Sequence, residues 1–225
     1  MKILLTLLPL FFAGVFSQAQ QISLGEIARN ARFDKQIDEF NNGQTKIKYS
    51  DINGIPYYYP QFTTVKVGEG TGTISLRYNI FLDTIEVVEK EDVYELSKEE
   101  PTPDFTFLST KEKLVYVKTN DQYSGYFFEL APGKLRILKK VSTKYQPATP
   151  APNSLISGTP AMFIFQKPIY FIQAENRLIK IPKNTKELAA EFPAQAKEIK
   201  DFIDQQKIKL SREEDLIKLG QFLNK

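Results

Sequence analysis

The stretch Gly72–Val88, GTISLRYNIFLDTIEVV, decides the fold. In its first arm Ile74, Leu76, Tyr78 and Ile80 alternate with Thr73, Ser75, Arg77 and Asn79. In its second arm Ile85 and Val87 alternate with Thr84 and Glu86. Successive side chains of a strand point to opposite faces, so each arm has one apolar and one polar side. The arms read as a hairpin with a short turn near Leu82–Asp83. A lone hairpin is marginal in water and needs further strands or a helix over its apolar face.

The flanking sequence supplies those partners. Upstream, Ile47–Tyr49 and Phe62–Val67 read as strands on either side of the turn signal Asn53-Gly54-Ile55-Pro56 and of Tyr57-Tyr58-Tyr59-Pro60. Gly68-Glu69-Gly70-Thr71-Gly72 connects into the hairpin. Downstream, Val93–Leu96 is placed to pair with the second arm, and Phe105–Leu108, Leu114–Lys118, Tyr126–Leu130 and Leu135–Val141 continue the series. Short strands at this spacing, punctuated by Gly, Pro, Asn and Asp, predict an antiparallel meander over 46–145. Its sheet can be flat, or curved into a half-barrel.

Four prolines, Pro147, Pro150, Pro152 and Pro160, break the pattern. Proline has no N–H for a ladder and a fixed φ, so 146–160 reads as an exposed connector. Residues 161–225 then predict a hairpin, Ile169–Gln173 with Arg177–Ile181, followed by two or three helices packed on the same domain. Asn184 with Glu187, and Ser211 with Glu214, have capping-box spacing. Ile199, Phe202 and Ile203 form one apolar stripe, and Leu216, Ile217, Leu219, Phe222 and Leu223 form another. Phe202 and Phe222 are the expected anchors. The fold class is therefore α+β and mainly β.

The N-terminus reads as an address. Lys2, the apolar run Ile3–Phe16 and Ser17-Gln18-Ala19 have the layout of a cleaved signal peptide over 1–19. The apolar run falls short of the roughly 18 residues of a membrane span. Residues 20–45 read as a helix or a mobile leader, with Leu24, Ile27, Ala28, Ala31, Ile37 and Phe40 at loosely helical spacing. Without Cys the chain has neither disulfides nor a site for a lipoprotein anchor, so the expected location is periplasmic or secreted.

Composition narrows the chemistry. The chain has 17 Phe and 11 Tyr but no His, Cys or Trp. A His general base, a Ser-His-Asp triad, a Cys nucleophile and a His/Cys zinc site cannot be built. Glu89, Glu91 and Asp92 lack the spaced ligands of a calcium loop and read as a solvated turn. The glycine run is followed by a strand, whereas a phosphate loop leads into a helix. No cofactor is expected. A net charge of +3 gives no indication of nucleic-acid binding. Lys111, Lys113, Lys139, Lys140 and Lys144 read as a solubilising surface.

The candidate binding residues are Tyr57, Tyr58, Tyr59, Arg77 and Asn79. Aromatic, guanidinium and amide groups tend to carry interface energy when exposed. The competing expectation is that two of the tyrosines are core and one lies at the rim, and that Arg77 pairs with Glu86 across the hairpin.

The run Gly54–Tyr57, the hairpin Leu76–Val87, the proline-rich segment and the closing SREEDLIKLGQFLN of Ser211–Asn224 carry a resemblance. The chain resembles a family of exported, uncharacterised proteins from Bacteroidetes bacteria. That resemblance implies an envelope of two membranes and brings no site residues with it. The expected function is a non-catalytic binding or structural role in the cell envelope, with another envelope protein as partner or else a lipid or glycan. Two alternatives stand beside it. One is a carrier of an apolar ligand in a curved sheet, and the other is a hydrolase that uses carboxylates alone.

Overall fold

The computed structural model describes residues 39–42, 45–89, 92–96, 98, 102–153, 155, 157–175 and 177–225. The expected signal peptide and most of the expected N-terminal segment lie outside these residues. Phe40, the last position of the loosely helical spacing, lies instead in an antiparallel pair, β1 (Glu39–Asn42) with β2 (Thr45–Lys48).

The main body is a ten-stranded antiparallel sheet. Its first half holds β3 (Thr63–Val67), β4 (Thr73–Asn79), β5 (Thr84–Glu89) and β6 (Asp92–Glu95). Next come β7 (Phe105–Phe107), β8 (Lys113–Val117), β9 (Gly125–Ala131) and β10 (Leu135–Lys140). Two short strands, β11 (Thr143–Gln146) and β12 (Met162–Phe165), form a separate ribbon. The sheet ends with β13 (Ile169–Ala174) and β14 (Arg177–Lys180).

The expected hairpin is β4–β5, in the register Leu76 opposite Val87 and Asn79 opposite Thr84. Strand order is β14-β13-β10-β9-β8-β7-β3-β4-β5-β6, so two meanders meet where β7 pairs with β3. The chain between β6 and β7 returns from the sheet edge to its middle.

The sheet is curled over the apolar face of the hairpin. β4 and β9 are four strand spacings apart, about 19 Å if the sheet were flat. Yet the rings of Tyr78 and Tyr126 lie 5.8 Å apart, and those of Tyr78 and Phe128 6.2 Å. At the hairpin tip, Asp83 accepts from Tyr78 Oη at 2.6 Å and from Tyr126 N–H at 3.4 Å, and its carboxylate lies 3.0 Å from Lys140 Nζ. Gly125 makes room for this contact. Its φ is +145°, and a Cβ there would lie 1.7 Å from Asp83 Oδ2. The sheet stays open, with β6 and β14 at its two ends. Inside the curl, Tyr78, Phe105, Phe107, Tyr126 and Phe128 are fully buried with Val65, Leu76 and Ile85.

Three helices cover the same face at the other end: α1 (Thr185–Glu191), α2 (Ala196–Gln206) and α3 (Glu213–Leu223). Asn184 caps α1 as its spacing predicts, accepting from Glu187 N–H at 2.9 Å and donating to the Glu187 carboxylate at 2.6 Å. The second capping box is not formed. Arg212 occupies the N-cap of α3 without a side-chain bond, and Asp215 instead accepts from Lys209 N–H at 3.0 Å. α3 lies close on β9 and β10: a Cβ on Gly220 would come within 2.6 Å of Ile137 and 2.7 Å of Ala131.

The helical core is built from Ile199, Ile203, Leu216 and Leu219 against Ile137, Ile172 and Ile179. Phe202 and Phe222, the expected anchors, are only half-buried. They stack on each other at 4.2 Å with nearly parallel rings, because each lies one helical step beyond the stripe that faces the sheet. Their contribution is therefore mutual. Phe202→Ala and Phe222→Ala are each expected to cost less than Leu219→Ala. A double-mutant cycle on the two should return a coupling of about 0.5–1.5 kcal/mol, read from urea unfolding.

Candidate functional site

The five residues singled out in the sequence fall on opposite faces of the sheet. Residues 56–59 run beside the end of β4, with Tyr58 N–H donating to Tyr78 C=O at 3.0 Å and Ile80 N–H to Pro56 C=O at 2.8 Å. Alternation along this segment sends Tyr57 to one side and Tyr58 to the other.

Tyr57 joins Arg77 and Asn79 on the polar side of the hairpin. Arg77 donates to Glu86 through Nε at 2.9 Å and through a terminal nitrogen at 2.6 Å, so the pairing expected across the hairpin is formed. Its guanidinium lies 3.7 Å from the Tyr57 ring centre and 4.6 Å from that of Phe62. Asn79 donates to Glu86 at 3.3 Å and to Tyr49 Oη at 3.2 Å, and its own carbonyl accepts from Phe81 and Leu82 N–H. This side of the hairpin is not an open surface: Asn79 and Glu86 are 0% exposed. Tyr49, Ile52, Tyr57 and Phe163 close over it as a small second core.

Tyr58 and Tyr59 point to the curled face, both half-buried. Only Tyr57 of the three tyrosines is fully buried, where two were expected in the core. The two hydroxyls converge on Glu112, Tyr58 at 2.9 Å and Tyr59 at 2.5 Å, and Thr110 Oγ1 adds a third bond at 2.9 Å. Glu112 Oε1 lies 3.8 Å from Lys139 Nζ, and Lys139 donates to Glu213 at 3.2 Å. Glu213 also accepts from Tyr170 Oη at 3.2 Å. It sits in the first turn of α3, where the partial positive charge of the helix N-terminus favours a carboxylate. One polar array thus joins the segment before β3, the turn before β8, β10, β13 and the last helix.

Lys139 and Lys140 correct the reading of a solubilising lysine surface. Lys139 is 6% exposed and lies over the Phe128 ring at 5.2 Å. Lys140 is also largely enclosed, paired with Asp83 and bonded to Tyr126 C=O at 3.0 Å. Burial pulls its ammonium below the ordinary lysine range, with Asp83 opposing that shift. Adjacent residues of a strand point to opposite faces, so each lysine meets its own carboxylates.

Protonation in the array follows from its contacts. Burial works to raise the Glu112 pKa, but the Tyr59, Thr110 and Tyr58 hydroxyls and the Lys139 ammonium outweigh it and hold the carboxyl below its usual range. Burial and the Glu213 charge push the Tyr170 phenol up to about 12. Burial and Glu112 push Tyr58 and Tyr59 up as well.

The unfolded chain therefore releases these phenolic protons first as pH rises, near 10, so stability should fall progressively above pH 10. At the acid end Glu112 works in the opposite sense. Its contribution is present above the unfolded carboxylate pKa and is lost as pH falls through its lowered folded value. Urea unfolding at stepped pH, with phenolate absorbance followed in parallel, checks both limbs. Flat stability above pH 10 would contradict the array as drawn.

Glu112, Lys139, Tyr170 and Glu213 come from four separate parts of the chain and share no motif. The neighbouring Lys111 and Lys113 make Glu112 read as part of an ordinary charged surface. Among the described residues no three Asp, Glu, His or Cys side chains converge in a way that could hold a metal ion. No protein-family model matches the chain, nor does any curated protein or solved structure.

Proposed function

We propose that this protein is an exported, non-catalytic binding protein of a bacterial cell envelope, and that its partner is another component of that envelope. The observation that carries the non-catalytic reading is the state of Glu112, whose carboxyl is held below its usual range. Glycoside hydrolysis by two carboxylates needs one of them protonated near neutral pH, with a pKa raised for the purpose. Here Lys139 lies between the Glu112 and Glu213 carboxylates, and three hydroxyls donate to Glu112, which favours its charged form. Such an array fastens the helices to the sheet. The filled interior of the curl, packed with rings, supports binding at the outer surface over carriage of a ligand inside. The signal-peptide layout and the family resemblance support export.

The test uses protein recovered from its own envelope. Wild type should retain a non-covalent component through affinity purification. Glu112→Gln and Glu213→Gln should retain it equally, and no glycan or ester hydrolysis should accompany it. Hydrolysis that disappears with Glu112→Gln or Glu213→Gln in a folded protein would overturn the reading in favour of an enzyme.

A further inference from the structure

The proline-rich segment doubles back as an arm. The register that sets Thr143 opposite Phe165 and Gln146 opposite Met162 continues in phase to Thr149 and Thr159. These two exchange backbone hydrogen bonds at 2.9 and 3.0 Å. Near the tip, Asn153 Oδ1 accepts from Leu155 N–H at 2.9 Å. At about 3.3 Å per residue the arm reaches roughly 20 Å past β11. Every described residue from Pro147 to Pro160 is exposed, and Leu155 is 93% exposed.

The chemistry of this arm differs from that of the rest of the surface. A quarter of the chain is charged, yet no residue between Lys144 and Lys167 carries a charge. No carboxylate side chain occurs between Glu129 and Glu175. The four prolines lack N–H groups, so they blunt the arm's edges against strand addition by a second copy. They also remove donors that would go unpaired in a water-poor layer. At the base, Ile164 is opposite Lys144 on the same side of the ribbon, and Ile164, Phe165, Lys144 and Lys167 are all exposed.

We propose that the arm lies along the surface of an anionic lipid bilayer. Leu155 enters the boundary between headgroups and acyl chains, and Lys144 and Lys167 face the lipid phosphates. An uncharged span enters that boundary without desolvating an ion, and two lysines with no carboxylate near them in the chain are attracted to the negative headgroups. This inference rests on the envelope reading and names the partner's chemistry.

Co-sedimentation of the exported chain with vesicles tests it, with phosphatidylglycerol mixed into phosphatidylcholine in one set and phosphatidylcholine alone in the other. Binding is expected on the anionic vesicles and should weaken with salt. Leu155→Asp should lower it by at least about tenfold. Lys144→Glu and Lys167→Glu should each lower it by at least about fivefold. The substituted residues are exposed, so melting temperatures should be unchanged. Equal binding to both vesicle types, no binding, or binding indifferent to all three changes would overturn the inference. If vesicles are not bound but a protein component still co-purifies, the lipid inference fails and the envelope reading survives.

Discussion

Arg77→Ala is expected to lower the free energy of unfolding by about 3–5 kcal/mol. The guanidinium is held between the Tyr57 and Phe62 rings and makes two bonds to Glu86, whose side chain is wholly buried. Removing it takes away the opposite charge from a carboxylate enclosed by the second core, and empties the slot between two rings. Replacing both members with apolar side chains, Arg77→Met with Glu86→Leu, should recover most of the loss, because no ion is then left buried. Urea unfolding of the single and double variants reads both effects. A single-variant loss within the range of an exposed ion pair, about 0–1 kcal/mol, would show that this side of the hairpin is open to water. The expected loss also means that Arg77→Ala tests stability and cannot serve as a clean probe of binding.

Phe128→Ala is expected to cost about 3–5 kcal/mol. Its ring lies 4.4 Å from that of Tyr58, 6.1 Å from Phe107 and 6.2 Å from Tyr78, and Lys139 lies 5.2 Å from its centre. The residue is therefore a packing element of the curl and the floor beneath the polar array. Truncation leaves a cavity in a region where the neighbouring rings are fixed from several sides. Phe128→Leu, which keeps most of the volume, should cost clearly less. The array adds a second readout: with its floor gone, Tyr58 gains water, and its phenol should ionise closer to the ordinary tyrosine range. A loss of only about 0.5 kcal/mol, the size expected for a surface position, would contradict the packing described.

The local rules carried much of this fold. Alternation from Thr73 to Val87 and a turn at Leu82–Asp83 are properties of neighbouring residues, and the hairpin formed in that register. Asn184 and Glu187 are three residues apart and cap a helix as their spacing predicts. What depended on distant partners was not legible. Nothing near Phe105 announces that β7 pairs with β3 and not with β6. Thr143–Gln146 runs into prolines, so β11 was hidden until Met162–Phe165 supplied its partner.

Periodicity finds two faces for β4–β5 but cannot say that Tyr49, Ile52 and Phe163 cover the polar one. Asn79, a candidate for an exposed binding face, is therefore buried, while Arg77 stays partly exposed and makes the pair with Glu86 that its competing reading expects. Lys139 reads as a surface charge, and nothing in the sequence singles out Glu112 or Glu213, because their meeting is produced by the curl and the helix layer together. Ser211 had the right spacing to Glu214, but Asp215 took the bond to the Lys209 N–H and Arg212 became the cap. Phe202 and Phe222 belong to their stripes by spacing, yet their rings turned to each other.

Native mass spectrometry of the protein purified from its own envelope tests the central claim most directly. The expected chain begins at Gln20 and carries a non-covalently bound envelope component. A chain that still begins at Met1, with nothing bound, would contradict that claim.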